Sequence, residues 1–348
     1  MHFGTFMEFG TRPGVSHAEA FREGFDHARF CEDVGFDSIW LSEFHFMPDR
    51  SVLSSPIVVA GALARCTKRV RIGMAVCVLP LTNPLRVAEE TASVDQMSGG
   101  RLDLGIGRSG FARQYKIYNI DYSESQARFE EAVTILRKAW SGEKFSYEGQ
   151  FFQVTDAQLV PVPVQSPHPP MRMAASSPGT FKKVAAEGLP LFVGLRGDGL
   201  EELKCNIQVY RKTWNEMGHV DNSSVFLRVP VYAAATKEAA LEEPRKCITH
   251  YFERQARMIA AAGAQGASAE EMRSRTAKAL AALSYDDICR SRAAIGSPGM
   301  LVDQFTEWQE VLDINGVAME LNAGNMLTEK QINTSVRLIA EDVMPAFR

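Results

Sequence analysis

Residues 70–107 read VRIGMAVCVLPLTNPLRVAEETASVDQMSGGRLDLGIG, and this stretch decides the fold. Val70 to Leu79 is a long, nearly continuous apolar run, as expected of a strand buried on both faces of a parallel sheet. Pro84 then opens a helix, since its missing N–H and fixed φ cost little at a first helical position. The helix ends at Ser98-Gly99-Gly100, and a second apolar strand, Leu102 to Gly107, follows at once. Strand, crossover helix and strand in immediate succession make a βαβ unit, and such units build parallel sheets.

The same alternation extends in both directions. Upstream, His2 to Phe9 and Phe36 to Phe44 read as strands; a helix with apolar Phe21, Phe25 and Ala28 lies between them, and another spans Pro56 to Cys66. Downstream, Phe129, Val133, Leu136 and Trp140 fall at the 4, 3, 4 spacing of a core-facing helix. Residues 145–172 break the rhythm, with a hairpin over Phe145 to Val154 around Glu148-Gly149 and an extended, Pro-rich Val160 to Pro170. Four more strands follow: Met171 to Ala175, Leu189 to Val193, Val225 to Ala234 and Val317 to Leu321. Helices over Pro178 to Glu187 and Leu200 to Met217 separate the first three, and Leu301, Phe305, Trp308 and Leu312 mark the helix before the last. A closing helix carries Ile332, Val336, Ile339 and Val343. Eight strands, mostly followed by helices, predict an α/β fold: a closed (β/α)8 TIM barrel, one domain over 1–348, with insertions on the C-terminal face. The longest insertion, about 237–295, reads as a lid over a substrate, with a solvated helical excursion as the alternative.

With 45% hydrophobic and 23% charged residues, the chain has enough apolar material for such a core. A net charge of -4 with scattered Lys and Arg supplies no basic stripe, which excludes nucleic acid as a partner. Six cysteines without a C-x-x-C pair read as free thiols of a reducing compartment. There is no signal-peptide pattern, and no apolar run reaches the roughly 18 residues of a membrane span. A cytoplasmic protein without membrane contact is expected.

In a parallel barrel the chemistry sits at the C-terminal strand ends. Those ends are Glu8, Glu43 to His45, Ala75 to Val78, Gly107-Arg108, Ser176-Ser177, Gly194 and Asn322. They hold no metal-ligand spacing, no paired carboxylates and no G-x-S-x-G elbow, so the barrel is built to hold a cofactor that carries the reaction. Ser176-Ser177-Pro178-Gly179-Thr180 suits an anion: Ser177 can cap a helix with Pro178 at its first position, leaving the N–H groups of Gly179 and Thr180 free. The same residues also suit a plain capped helix. Gly105-Ile106-Gly107-Arg108-Ser109-Gly110 matches G-x-G-x-x-G, but Phe111 to Tyr122 shows no helical stripe, so this is no dinucleotide fingerprint. Instead the glycines would let a flat ring approach the backbone. Arg108 would meet a phosphate or an anionic reduced flavin ring, or else it is a surface arginine on a turn. His45 is either a satisfied structural histidine or a catalyst.

At these residues the chain resembles bacterial luciferase and the wider luciferase-like flavin-dependent monooxygenases. The resemblance is carried in order by Trp40-Leu41-Ser42-Glu43-Phe44-His45-Phe46, Gly73 to Pro80, Asn83 to Glu89, Asp95 to Arg101 and Gly105 to Arg108, with Ala340 to Pro345 at the end. It implies a barrel that takes reduced FMN (FMNH2) from a separate NAD(P)H-dependent flavin reductase. There the reduced flavin meets O2, forms a C4a-(hydro)peroxide and oxygenates a small-molecule substrate: an aldehyde, a ketone or an activated ring. It also implies a homodimer. Ala75-Val76 matches a non-proline cis peptide behind the flavin; Arg108 matches the arginine beside the flavin phosphate; Ser176, Ser177, Gly179 and Thr180 match the phosphate-binding helix start. Arg128 matches a charged position frequent in the group. Two departures stand out. Luciferase has Glu-His-His-Phe where this chain has Glu43-Phe44-His45-Phe46, and the first of those histidines is its catalytic base, which leaves His45 as the local catalytic candidate. A luciferase arginine near the phosphate is replaced by Gln126. Two rivals share the fold: an oxidoreductase using the deazaflavin F420, and a flavin-binding protein without turnover.

Overall fold

The computed structural model describes residues 1–195, 199–220, 223–262 and 267–348. The opening stretch becomes strand β3 (Arg71–Val78), helix α3 (Pro84–Ser98) and strand β4 (Leu102–Gly107). The Asn83 side chain accepts the N–H groups of Leu85 and Arg86 at the start of α3, and Gly99 closes it in the left-handed region, at φ 65°. Start and stop are therefore both chemical, a cap worth about 1 kcal/mol and a residue without a Cβ penalty.

Around it stand β1 (His2–Met7), β2 (Ser38–Leu41), β7 (Met171–Ala174), β8 (Leu191–Gly194), β9 (Val225–Ala233) and β11 (Gly316–Glu320). All pair in parallel in the order β1-β2-β3-β4-β7-β8-β9-β11, and β11 closes on β1 through Phe3 and Val317. This is the (β/α)8 barrel expected, ringed by α1 (His17–Asp33), α2 (Pro56–Cys66), α3, α5 (Ser125–Trp140), α6 (Pro178–Ala186), α7 (Leu200–Glu216), α12 (Pro298–Leu312) and α13 (Glu329–Leu338). The main core lies between strands and helices. A smaller cluster of Phe6, Trp40, Phe192, Phe226 and Ala318 fills the barrel itself, with Ala75 against it. Trp40 sits where the inward faces of Gly4 and Gly73 leave room, because a Cβ on Gly73 would overlap its ring.

Four details differ from the sequence reading. Strand β2 is only Ser38–Leu41, since Ser42 to Phe44 already turn away to form the mouth. Residues Ala112–Ile117 form a helix, α4, that buries only Gln114 and Tyr115, too short a face to show a stripe. The hairpin's second strand, β6 (Gln153–Ala157), runs past Val154 against β5 (Phe145–Glu148). The insertion holds α8 (Lys237–Glu242), α9 (Arg245–Ala261), α10 (Ala267–Ala281) and α11 (Tyr285–Ser291), and ends in a three-residue strand, β10 (Ala294–Gly296). β10 pairs with the outer half of β9 beyond the part that β11 occupies. Residues 263–266 of the small-residue stretch Ala260 to Ala269 lie outside the described residues. No described helix is long and apolar enough to cross a membrane.

Candidate active site

At the C-terminal mouth, β3 and β4 lose register. Met74 pairs with Leu104 but Cys77 with Ile106, so Ala75 and Val76 oppose Gly105 alone, and the Ala75–Val76 peptide is cis. The two glycines of β4 serve this bulge: a Cβ on Gly105 would overlap the Met74 carbonyl oxygen, and one on Gly107 would lie 2.5 Å from Val76 Cγ2. G-x-G is thus a strand accommodating its bulged neighbour.

β7 lies on the other side of β4, with Ala174 near enough that its Cβ would be 3.9 Å from a Cβ on Gly107. Adjacent strands sit about 4.8 Å apart, so Arg108 and the start of α6 leave the sheet side by side. Arg108 Nη1 donates to Ser125 Oγ at 3.2 Å, and among the described residues no carboxylate lies within 4.0 Å of it. The Tyr115 hydroxyl donates to the Arg108 carbonyl and fixes the turn. At α6, Ser177 Oγ meets Thr180 Oγ1 at 2.8 Å instead of capping the backbone, and the Thr180 N–H is held by the Ser177 carbonyl at 2.9 Å. Of the two N–H groups expected to be free, Thr180's is therefore occupied; Gly179 stands in open space with nothing within 4 Å of its Cβ position. Ser176 is exposed. Carried on the ends of neighbouring strands, a guanidinium, three hydroxyls and a helix start are donors of the kind an oxyanion needs.

His45 stands beyond β2. Its Nε2 lies 2.7 Å from Glu43 Oε1 and its Nδ1 3.1 Å from the Tyr118 hydroxyl, and Glu43 also accepts the Val78 N–H at 3.2 Å. Both ring nitrogens are engaged, which fixes the ring between β2, β3 and the loop after α4. Gln126 and Arg128 turn to carboxylates of their own neighbourhood, Glu130 and Glu124. Ser42 Oγ, in the inward row above Trp40, is buried with no hydrogen-bond partner among the described residues.

The opposite side of the mouth carries a charge network the sequence reading missed. Glu8 follows β1, Glu320 ends β11, and Arg228 is the fourth residue of β9. Arg228 reaches both carboxylates, Glu8 Oε1 at 3.0 Å and Glu320 Oε2 at 2.8 Å. Arg50, from the loop after β2, grips Glu8 with Nε at 3.0 Å and with Nη2. Tyr251 of α9 donates to Glu320 Oε1 at 2.8 Å, and Arg254 of α9 points Nη2 at Glu8 Oε2 from 3.5 Å. Burial alone would raise the Glu8 pKa; Arg50, then Arg228 and Arg254, overcome it and bring it from 4.5 to about 2. Burial likewise opposes the charge on Arg228, and Glu320 above all holds it on. The signal in the sequence was a charged residue at inward parity inside an apolar strand, Arg228 among Phe226 and Pro230.

Comparison with known proteins settles the family. Residues 1–313 match the luciferase-like monooxygenases. The chain belongs to this family. It is 29% identical to an uncharacterized protein of Sinorhizobium fredii, across 100% of this chain and 98% of that one. It is 28% identical to the alkanal monooxygenase alpha chain of Photorhabdus luminescens over 63% of this chain, and 26% identical to the oxygenase component of the flavin-dependent trigonelline monooxygenase of Acinetobacter baylyi over 64%. The matches span 60% and 62% of those two relatives. Among solved structures, the oxygenating constituent of Pseudomonas putida 3,6-diketocamphane monooxygenase, a type II Baeyer–Villiger enzyme in complex with FMN, superposes with a TM-score of 0.85 at 20% identity, over 99% of this chain and 98% of that one. An F420-dependent secondary alcohol dehydrogenase reaches 0.77 at 19% identity, over 100% and 99%. At these identities the structures establish a common fold.

In this luciferase-like monooxygenase Phe44 has a visible physical task. Its buried ring lies 3.7 Å below the Arg50 guanidinium, a cation–π contact worth about 1–2 kcal/mol when desolvated. Where bacterial luciferase has a histidine, this chain has a platform for the arginine that holds Glu8.

Proposed function

We propose that this chain is the cytoplasmic oxygenase component of a two-component monooxygenase, a homodimer that uses reduced FMN from a separate NAD(P)H-dependent flavin reductase, and O2, to oxygenate a small organic substrate. One observation carries the reading: the Ala75–Val76 bulge, Arg108 without a carboxylate partner among the described residues, and the open start of α6 all lie on the adjacent ends of β3, β4 and β7. Family membership and the likeness to an FMN-bound fold support it.

Arg108, the Gly179 N–H and the hydroxyls of Ser176, Ser177 and Thr180 would hold the phosphate, whose charge of about -1.5 to -2 needs such donors. Ala75 and Val76 would form the wall behind the ring. Reduced FMN, when bound, supplies the electrons with which O2 is activated. His45, fixed by Glu43 and Tyr118, would hold or pass a proton at the mouth. The insertion would exclude water: Arg273 of α10 reaches the Gly110 carbonyl and the Tyr122 hydroxyl, both at 3.3 Å, and so ties the insertion to the loop that follows Arg108.

The test is turnover with 18O2, NADH, FMN, a flavin reductase and a panel of aldehydes, ketones and heteroaromatic compounds, read by mass spectrometry. A product gaining one labelled oxygen is expected. No labelled product alongside turnover with reduced F420 would replace the reading by its hydride-transfer rival, and neither activity would leave a flavin binder.

A further inference from the structure

Three arginines and two glutamates meet in the network at the mouth. Among the described residues, Glu8 and Glu320 are the carboxylates that Arg50, Arg228 and Arg254 reach. One positive charge is left over in a buried place, where an unpaired charge costs several kcal/mol. The surplus can be assigned to a residue. Arg50 is satisfied through Nε and Nη2 on Glu8 and Nη1 on Met258 Sδ at 3.1 Å. Arg228 is satisfied by Nε and Nη2 on Glu320, with Nη2 also on Glu8, and its guanidinium covers the Phe6 ring at 3.7 Å.

Arg254 is different. Its residue is 8% exposed, its Nε and Nη2 are buried with no hydrogen-bond partner among the described residues, and the 3.5 Å approach to Glu8 is too long and too poorly aligned to supply one. Glu8 already accepts from Arg50 and Arg228. Burial pushes the Arg254 pKa down, and Glu8 opposes that shift. An arginine stays charged in proteins whatever its surroundings, so this charge awaits a counter-ion instead of being neutralised.

Its position says what that counter-ion does. Around the barrel β9, β11 and β1 stand opposite β3, β4 and β7, so the arginines face the proposed flavin cradle across the mouth. Phe6 links the two sides: it lies under Arg228 and belongs to the interior layer that Ala75 touches. Arg254 comes from α9 of the insertion, so a ligand that completes it would bridge the insertion and the barrel. The charge to be matched is one, which fits a carboxylate; a phosphate monoester would bring about 1.5 to 2 and overshoot.

We infer that Arg254 is a substrate-anchoring residue and that the oxygenated substrate carries a carboxylate, which docks on Arg254 at the β1–β9–β11 side of the mouth and points its reactive end at the cradle. The inference rests on the proposed flavin reading for the identity of what lies opposite, while the anion site stands on the arginines alone.

Isothermal titration of the full-length protein, with and without FMN, against benzoate, nicotinate and hexanoate and their matched carboxamides separates the two claims. At least one carboxylate is expected to bind tenfold or more tightly than its carboxamide. Arg254→Gln removes that preference and changes the FMN Kd by less than twofold. Arg254→Lys keeps the charge without the planar fork and retains a weakened preference, which serves as the test should the Gln variant fold poorly. Equal binding of every acid and its amide to the wild type, or an Arg254→Gln protein that keeps the preference, overturns the inference. Chloride competing as well as the carboxylates overturns it too, since it shows a generic anion site. A carboxylate preference in a protein that binds no FMN would sink the flavin reading and leave the anion site intact.

Discussion

Replacing Glu8 by Gln removes one charge from the centre of the network and keeps the shape. The amide turns one of the two accepting oxygens into a donor, so Arg50 and Arg228 lose at least one of their three hydrogen bonds to this side chain and the opposite charge behind all of them, and Arg254 loses the carboxylate facing it. Two routes give the magnitude. Breaking a buried ion pair by removing one partner costs about 3–5 kcal/mol. Independently, a carboxyl lowered from 4.5 to about 2 by its folded surroundings contributes roughly 3 kcal/mol at neutral pH, at 1.36 kcal/mol per pKa unit. Unfolding a chain of 348 residues releases entropy of about 2.1 cal/mol/K per residue, so 3 kcal/mol corresponds to a drop of about 4 °C in Tm. The pH dependence follows from the sign of the shift: because the folded pKa is depressed, the contribution is fully present above about 4.5 and fades as pH falls toward 2. Differential scanning calorimetry of wild type and Glu8→Gln at pH 7, 5, 4 and 3 should show a gap of about 4 °C at pH 7 that narrows below pH 4.5. A gap under 1 °C at pH 7, or one that widens toward pH 3, would refute the account of this network.

Other expectations concern the cradle and the histidine. Arg108→Met should weaken FMN binding by about ten- to a hundredfold, the worth of a charged hydrogen bond of 1.5–3 kcal/mol, and leave riboflavin binding unchanged; fluorescence titration of both flavins reads this, and equal losses for the two would remove Arg108 from the phosphate site. Gly107→Ala places a methyl 2.5 Å from Val76 Cγ2, so Tm should fall by an amount matching 1–3 kcal/mol of overpacking, and an unchanged Tm would show that the bulge yields. His45→Gln should lower turnover of an identified substrate a hundredfold or more while FMN Kd stays within twofold; wild-type turnover in that variant would confine His45 to structure. Tyr118→Phe, which removes only the hydroxyl 3.1 Å from Nδ1, should have a smaller effect in the same assay.

The barrel was legible because its signals are local and repeat. Val70 to Leu79 and Leu102 to Gly107 announce buried strands, and Asn83-Pro84 with Gly99 bracket a helix chemically, so each boundary has a cause the sequence prints. Elements with too few residues to show a period escaped, α4 with its two buried side chains and the three-residue β10 among them. At the proposed site, Arg108 and Ser176 to Thr180 could be singled out because they lie at strand ends and because they match the luciferase-like pattern. The arginine–glutamate network could not, since Glu8, Arg50, Arg228, Arg254 and Glu320 are scattered over more than 300 residues and meet only when β11 closes on β1. Phe44 shows the same limit. In the sequence it is a missing histidine, and only the Arg50 guanidinium above its ring explains the residue present.

The central claim, that the mouth binds reduced FMN and brings it to react with O2 under control, is tested most directly by stopped-flow absorbance. The protein is loaded with FMNH2 without oxygen, then mixed with O2-saturated buffer. Flavin reoxidation should proceed through a delay absent from free FMNH2, and the Arg108→Met variant at the same concentrations should lose that delay. Reoxidation of wild type indistinguishable from free FMNH2, at concentrations where the flavin is bound, would contradict the account.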